Sequence, residues 1–571
     1  MASVGMMLNL KYNKSSFLFF ILLQISVIFC EDGQNDPIVN VKEGQLRGTI
    51  YNLVDGSTCY SFRGVPFAQS PVGDLRFKAP LPPLPWEGVR DAKNFGPICT
   101  QFNMTYQGEE DCLFVSIYTK SLRSDAKSPV IVNIHGGSYY EGSGDFFLPD
   151  FLMLHGDIVF VTLNYRLDMI GFLSLETPEV PGNAGMKDQV AALRWIMDNI
   201  AQFGGDPNSV TLVGESSGAS SVTYHMFSPM STGLFHRVIA ESGVCIHDWA
   251  IARDMKARAF RAGKILGTDT TDVGELLNFF KGVTADFLTN LTIATSTLDE
   301  QLRGFPVQFI PTVENKFPNV EAFITEDPVK MLAEGNVINK VPLMLGYNSA
   351  EGLYNLQDNL AKLDIFNNEP SYYVPREVAE KISKKKLKKF GARIKKFYFG
   401  DKNITTDDMN TLAELLTDTD FSYNTHRFAH LYTKLLVPTY LYRFDTVTDL
   451  NIVKIVLLGL ADLNGVSHGD DLWYLFYNWL NEQQYKGDAN LRDIVFRVTK
   501  LWVDFAKTGN PTPDNSLGAI WKPYTIKRKE YFKIDKTFAL SHKADDRRIH
   551  FWNKLYQEAG LPHISGTSWA D

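Results

Sequence analysis

The chain predicts an α/β protein, with a mostly parallel sheet flanked by helices and interrupted by long insertions. Three observations carry that prediction. Short β-rich runs alternate with helical patterns. The central runs are almost unbroken in their apolar content, as strands covered on both faces are. One of them feeds straight into a Gly-x-Ser-x-Gly turn.

Taken in order, PVIVNI (129–134) is a strand that ends at His135-Gly136-Gly137, and DIVFVTLNY (157–165) is a second. The segment 185–203, GMKDQVAALRWIMDNIAQF, puts Val190, Leu193, Met197 and Ile200 at helical spacing and stops at Gly-Gly-Asp-Pro, a helix terminator. SVTLVG (209–214) is the next strand, and ASSVTYHMF (219–227) is helix behind it. VPLMLG (341–346) and TYLYRF (439–444) are later strands. The stretches 250–335 and 375–435 read as insertions able to build a lid or cap. No Pro/Gly/Ser-rich linker and no repeat divides the chain, so 31–571 is expected to fold as one domain.

Residues 1–30 stand apart. Lys11 and Lys14 precede an apolar run from Phe17 to Cys30, and acidic, polar residues follow. This is the pattern of a secretory signal peptide cleaved near Cys30; the run is short for a spanning helix, which needs about 20 residues. No second apolar stretch of spanning length follows, and HISGTSWAD is neither an ER-retention tail nor a lipid-anchor signal. The expectation is a secreted, extracellular protein with no stable membrane anchor.

A formal charge of −8 argues against nucleic acid as a partner. The one basic stretch, KISKKKLKKFGARIKK (381–396), reads as the solvated face of a surface helix, with a contact to anionic polysaccharide or membrane as the alternative. Of five cysteines, Cys30 leaves with the leader, and the close pair Cys99 and Cys112 is the natural bridge in an oxidising compartment. Cys59 and Cys245 are read as small buried hydrophobes, with pairing as the alternative. Sequons at Asn103, Asn290 and Asn403 predict glycosylation.

Two segments match Gly-x-Ser-x-Gly: GESSG (214–218) and GVSHG (465–469). A nucleophile elbow needs a strand entering a strained turn and a helix leaving it. GESSG has both. In that frame Ser216 is the nucleophile candidate, and Ser217 falls where the elbow supplies a backbone N–H to an oxyanion hole. GVSHG follows no clean strand, so Ser467 is a loop serine, but its neighbour His468 sits in a Gly-flanked loop that can aim a ring. A serine hydroxyl needs an imidazole to take its proton and a carboxylate to orient that imidazole. In folds with such an elbow the chain order is serine, acid, histidine. That order leaves His468 as the favoured base among the later histidines. Both Glu351 and Asp445 remain as acids, each just after a strand. HGGS (135–138) offers bare backbone N–H groups for the oxyanion.

These stretches, with FRGVPFA (62–68), EDCLFVSIY (110–118), NYRLDMIGFLS (164–174), PGNAGMKDQVAALRWI (181–196), AESG (240–243) and GVSHGDDLWYLF (465–476), closely resemble the type-B carboxylesterase and cholinesterase family, over nearly all of the chain beyond the leader. The resemblance implies an α/β-hydrolase fold and a serine esterase. It implies Ser216 as nucleophile, Glu351 rather than Asp445 as acid, and His468 as base. The oxyanion donors map to Gly137, Ser138 and Ser217, with Gly136 completing the turn. Ser242 maps to a buried serine that supports the triad, and the N-terminal disulfide to Cys99–Cys112. No metal or organic cofactor is implied.

Departures from the family pattern are informative. Ser138 stands where Gly or Ala is usual and Ser217 where Ala is usual; backbone donors survive both, but two hydroxyls could narrow the hole. No tryptophan lies in the 99–112 loop, so a choline ester loses its cation–π partner there. Trp249 is similar to a pocket-lining position of insect carboxylesterases; a plain core tryptophan is the alternative. The expected function is hydrolysis of small carboxylic esters through an acyl-enzyme. A juvenile-hormone esterase and a non-catalytic adhesion or binding protein on the same fold are the competing readings, and GESSG in place of the usual GQSAG weighs against the first.

Overall fold

The computed structural model describes residues 36–305 and 309–564. The expected leader lies outside the described residues. At the centre is an 11-stranded sheet. In chain order its strands are β1 (Thr49–Asn52), β2 (Thr58–Pro66), β3 (Phe114–Thr119), β4 (Ser128–Ile134), β5 (Val159–Leu163), β6 (Gly205–Glu215), β7 (Arg237–Glu241), β8 (Leu343–Asn348), β9 (Thr439–Phe444), β10 (Glu530–Ile534) and β11 (Ala539–His542). Across the sheet the order is β11-β10-β9-β8-β7-β6-β4-β5-β3-β2-β1. Neighbours from β5 through β10 run parallel, and antiparallel strands close both edges.

The strands lie where the apolar runs place them. Val159, Phe160, Val161 and Leu163 are all buried, and each such side chain contributes about 1.5–3 kcal/mol on leaving water. Alternation divides the sheet's side chains between two cores. Val130, Val132 and Ile134 join one; Ile131 joins the other, with Phe160, Val213 and Trp502. β6 starts earlier than the apolar run suggests. Gly205 already pairs with Ser128, and the register slips before Val210 because the chain bulges through Asp206-Pro207.

Helix α1 (Ala184–Asn199) covers one face and continues as a 3-10 turn to Phe203, ending on Gly204 at φ +76°. A buried ion pair ties its first turn to the end of β5: Arg166 reaches Asp188 at 2.6 Å, and the Arg166 backbone N–H donates to the same carboxylate. Lys187, next in line, pairs with Glu314 at 2.7 Å. That bond draws in the 250–335 insertion, whose Ala259, Leu276, Phe280 and Leu332 belong to the main core. This insertion is therefore part of the body and not a separate lid. The 375–435 region builds a third core with the C-terminal helix, through Phe390, Ile394, Leu412, Trp552 and Leu555. The basic stretch forms the helix Lys384–Phe399, with Lys384, Lys385, Lys388 and Lys389 exposed.

Candidate active site

The β6 strand ends at Glu215, helix α2 (Ser217–His225) begins two residues later, and Ser216 makes the whole turn between them. Its backbone sits at φ +57°, ψ −122°, outside the regions an L-residue ordinarily occupies. The neighbouring glycines explain how the turn closes. A Cβ on Gly214 would lie 2.4 Å from the Gly218 backbone, and one on Gly218 would lie 2.1 Å from the Ile134 carbonyl. The Ser216 N–H donates to the Glu241 carbonyl at 2.8 Å and fixes the elbow to β7.

Three side chains from distant segments meet there. The Ser216 hydroxyl lies 2.9 Å from His468 Nε2, and His468 Nδ1 lies 2.7 Å from Glu351 Oε2. Glu351 follows β8 and is fully buried; its other oxygen accepts from the Asn348 N–H at 2.6 Å and from the Ser242 hydroxyl at 2.5 Å. A carboxylate with three donors holds the imidazole in one orientation, with Nδ1–H donating and Nε2 free to accept. Asp445 is elsewhere, paired with Arg443 at 2.9 Å.

The carboxylates around the ring set its charge. Burial works against a charged imidazole, but Glu215, Glu351 and Asp471 outweigh it and push the His468 pKa up. Glu215 Oε1 lies 3.2 Å from Nε2. Burial pushes Glu215 itself up to about 8 and Asp471 to about 6. Glu215 is a group at this site that sequence reasoning passed over, although it stands beside Ser216 in GESSG. Ring contacts hold His468 as well: Phe421 lies 4.5 Å and Tyr354 5.3 Å away, centroid to centroid. Phe421 reaches it from a π-turn, Asp418–Ser422, which joins the helices Met409–Thr417 and Tyr423–Thr433. No spacing pattern in the sequence signals that turn.

The His135–Ser138 turn lies against Ser216: a Cβ on Gly136 would be 3.2 Å from the Ser216 Cβ. Gly137 (φ +99°) and Ser138 (φ +54°) continue it through left-handed backbone. The turn is braced by His135, whose Nδ1–H donates to the Gly136 carbonyl and whose ring stacks on Tyr165. Ser217 opens α2, where an N–H has no acceptor within the helix. Its hydroxyl is buried and accepts from the Tyr139 N–H at 3.3 Å, so it is engaged within the turn.

A cleft opens over Ser216 and His468. Trp249, Phe305 and Phe421 line one part of it, Phe146, Phe147 and Phe476 another, and Glu141 and Glu215 contribute carboxyls. Trp249 donates to the Asp420 carbonyl at 2.7 Å and is a cleft wall. Cys99 and Cys112 are bonded, and Cys59 and Cys245 are free and buried. The sequon asparagines differ in their surroundings: the Asn103 side chain is buried and its amide donates to Glu141 at 3.3 Å, whereas Asn290 and Asn403 are exposed.

Known proteins share this architecture. The chain is 34% identical over 549 residues to Esterase FE4 of Myzus persicae, covering 92% of this chain and 93% of that one. It is 32% identical over 518 residues to the juvenile hormone esterase of Heliothis virescens, covering 86% and 89%. The crystal structure of juvenile hormone esterase from Manduca sexta, with OTFP covalently attached, superposes with a TM-score of 0.81 at 28% identity, over 92% of this chain and 100% of that one. Residues 35–552 match the carboxylesterase family as a whole, and with the elbow, the Ser–His–Glu alignment and the Gly-Gly turn in place, the chain belongs to the carboxylesterase family.

Proposed function

We propose that this protein hydrolyses small carboxylic esters through an acyl-enzyme on Ser216. The observation that carries the reading is the unbroken hydrogen-bond chain from the Ser216 hydroxyl through His468 to Glu351. Ser216 Oγ attacks the ester carbonyl as its proton passes to His468 Nε2. Glu351, held by Ser242 and Asn348, stabilises the imidazolium. Backbone N–H groups of Gly137, Ser138 and Ser217 receive the developing oxyanion, with Gly136 shaping the turn. His468 then returns the proton to the leaving alcohol. Water, deprotonated by the same imidazole, releases the acid and restores the serine.

The intact triad geometry favours catalysis over the adhesion-module reading. The aromatic cleft suits apolar ester groups, and the sequence match to juvenile hormone esterases keeps such an ester among the substrates to try. Export to an oxidising compartment, with cleavage near Cys30, belongs to the same proposal. The closed Cys99–Cys112 bond supports it, as do the apolar run at 17–30 and the exposed sequons at Asn290 and Asn403. Among the described residues no helix is long and apolar enough to cross a membrane.

The test is turnover of p-nitrophenyl acetate, butyrate and octanoate by the purified protein beside Ser216→Ala. Loss of turnover by about a millionfold in the variant is expected. Equal rates for parent and variant would refute the assignment.

A further inference from the structure

The disulfide closed by Cys99 and Cys112 encloses a small hairpin, Gln101–Asn103 paired with Thr105–Gln107. Gln101 is 4% exposed, and its carboxamide is aimed at the chain leaving the Gly-Gly turn. Its Oε1 accepts from the Gly142 N–H at 3.0 Å, and its Nε2 donates to the Gly142 carbonyl at 3.0 Å. The second Nε2–H donates to the Cys99 carbonyl, also at 3.0 Å. One side chain therefore grips both polar groups of a single glycine and ties them to a disulfide-bonded residue.

Gly142 is no remote anchor. It sits at φ +111°, and a Cβ there would lie 2.5 Å from His135 Nδ1 and 2.6 Å from the Gly136 carbonyl. Between the two glycines, the Tyr140 and Glu141 N–H groups both donate to the Gly137 carbonyl at 3.0 Å. Residues 137–141 thus form a turn closed on the Gly137 carbonyl, and Gly142 follows it directly and packs against Gly136. The far side is held separately: Asn164 accepts from the Gly144 N–H at 2.8 Å, and the Asp168 N–H donates to the Tyr139 carbonyl at 2.7 Å. From the hairpin side the support is Gln101, with Asn103 on Glu141 at 3.3 Å.

We propose that Gln101 is a positioning residue for the oxyanion hole, and that the 99–112 loop acts on ester hydrolysis through its grip on Gly142. The proposal rests on the esterase reading above. Gln101 does not touch the reacting atoms; it fixes where the Gly137 N–H points. An oxyanion donor is worth about 10²–10³ in rate, and a misplacement of about 1 Å can cost about 10². Misplacement harms the tetrahedral state far more than the flat ester, so kcat falls while KM holds.

The experiment compares the full-length protein with Gln101→Met, which keeps length and loses every bond, and Gln101→Asn, which keeps the amide and shortens its reach. Active sites are counted by stoichiometric labelling of Ser216 with a fluorophosphonate. Then kcat and KM for p-nitrophenyl butyrate are measured per labelled site, together with the inhibition constant of an alkyl trifluoromethyl ketone, whose adduct places an oxyanion in the hole. For Gln101→Met the expected result is a fall in kcat per site of about 10–100-fold, KM within about twofold, and an inhibition constant raised by the same factor as kcat/KM falls. Gln101→Asn shifts the same way by less, and decides the matter if Gln101→Met yields no labelled sites. Parent-like kcat and inhibition constants per site would overturn the proposal. A parent that neither labels nor turns over would instead overturn the esterase reading, and this inference with it.

Discussion

The Phe421 ring lies 4.5 Å from the His468 ring, centroid to centroid, tilted by 35°, and it is there because the helix passing the cleft contains a π-turn at 418–422. An extra residue in a helical turn rotates everything after it, and such bulges concentrate at functional sites. Phe421 also contacts Trp249 and Phe305, so one ring joins His468 to the cleft wall.

Phe421→Ala would remove that packing. The expected result is a loss of about 3–5 kcal/mol in stability, read from a denaturant midpoint. A fall of about tenfold or more in kcat, as His468 gains freedom, goes with it. Unchanged kcat in a destabilised protein would show that Tyr354 and Glu351 orient the ring unaided.

The charge around His468 sets the pH profile. Its pKa is raised, and only the neutral ring can accept the serine proton, so kcat/KM rises with pH and reaches its plateau above the ordinary histidine range. Burial lowers the pKa and Glu215 leads the carboxylates that raise it, so Glu215→Gln moves the acid limb to lower pH. A pH–rate profile of the two proteins checks this; an acid limb that stays put or moves upward counts against it.

Ser217→Ala separates the two adjacent serines. The variant loses the hydroxyl that accepts from the Tyr139 N–H and keeps the Ser217 backbone N–H that the proposed mechanism uses. A stability cost of about 1 kcal/mol is expected. Turnover per site stays within about threefold, since the backbone donor remains. A collapse of turnover comparable to that of Ser216→Ala would assign the hydroxyl a direct role.

Arg166 and Asp188 form an ion pair with both partners buried. Arg166→Met leaves a carboxylate without its cation and is expected to cost about 3–5 kcal/mol, measured by urea unfolding. Replacing both residues with apolar ones recovers much of that loss. If the single variant unfolds at the parent's midpoint, the pair contributes nothing to holding α1 on β5.

Glycan mapping tests the sequons. On protein secreted from eukaryotic cells, enzymatic deglycosylation and mass analysis are expected to find carbohydrate on the exposed Asn290 and Asn403 and none on the buried Asn103. A glycan at Asn103 would require the hairpin to leave Glu141.

Much of the site was legible in local sequence because its parts are local. An elbow is written in consecutive residues: a β-rich run, glycines spaced around a serine, and a helix former after them. Steric demand fixes those glycines, as the 2.1 Å approach of a Gly218 Cβ to Ile134 demonstrates. The parallel sheet was readable for a related reason, since strands buried on both faces must be continuously apolar. Spacing alone left both Glu351 and Asp445 open; the family resemblance favoured Glu351, and the fold brings that carboxyl, 117 residues from His468 in the chain, to 2.7 Å.

The tertiary structure alone decided whatever depends on distant segments meeting. Asn103 carries an intact sequon, yet the hairpin turns its amide inward onto Glu141. Glu215 is one letter beside Ser216; its raised pKa comes from burial, with Asp471 of the His468 loop and Glu351 after β8 adding to it. Phe421 and Gln101 sit in stretches with no pattern of their own; one meets the His468 ring and the other the Gly142 peptide, each from a distant segment of the chain. Local sterics and periodicity act between near neighbours in the chain, so sequence records them directly. Desolvation, charge coupling and long-range hydrogen bonds act through space, and only the folded chain sets those distances.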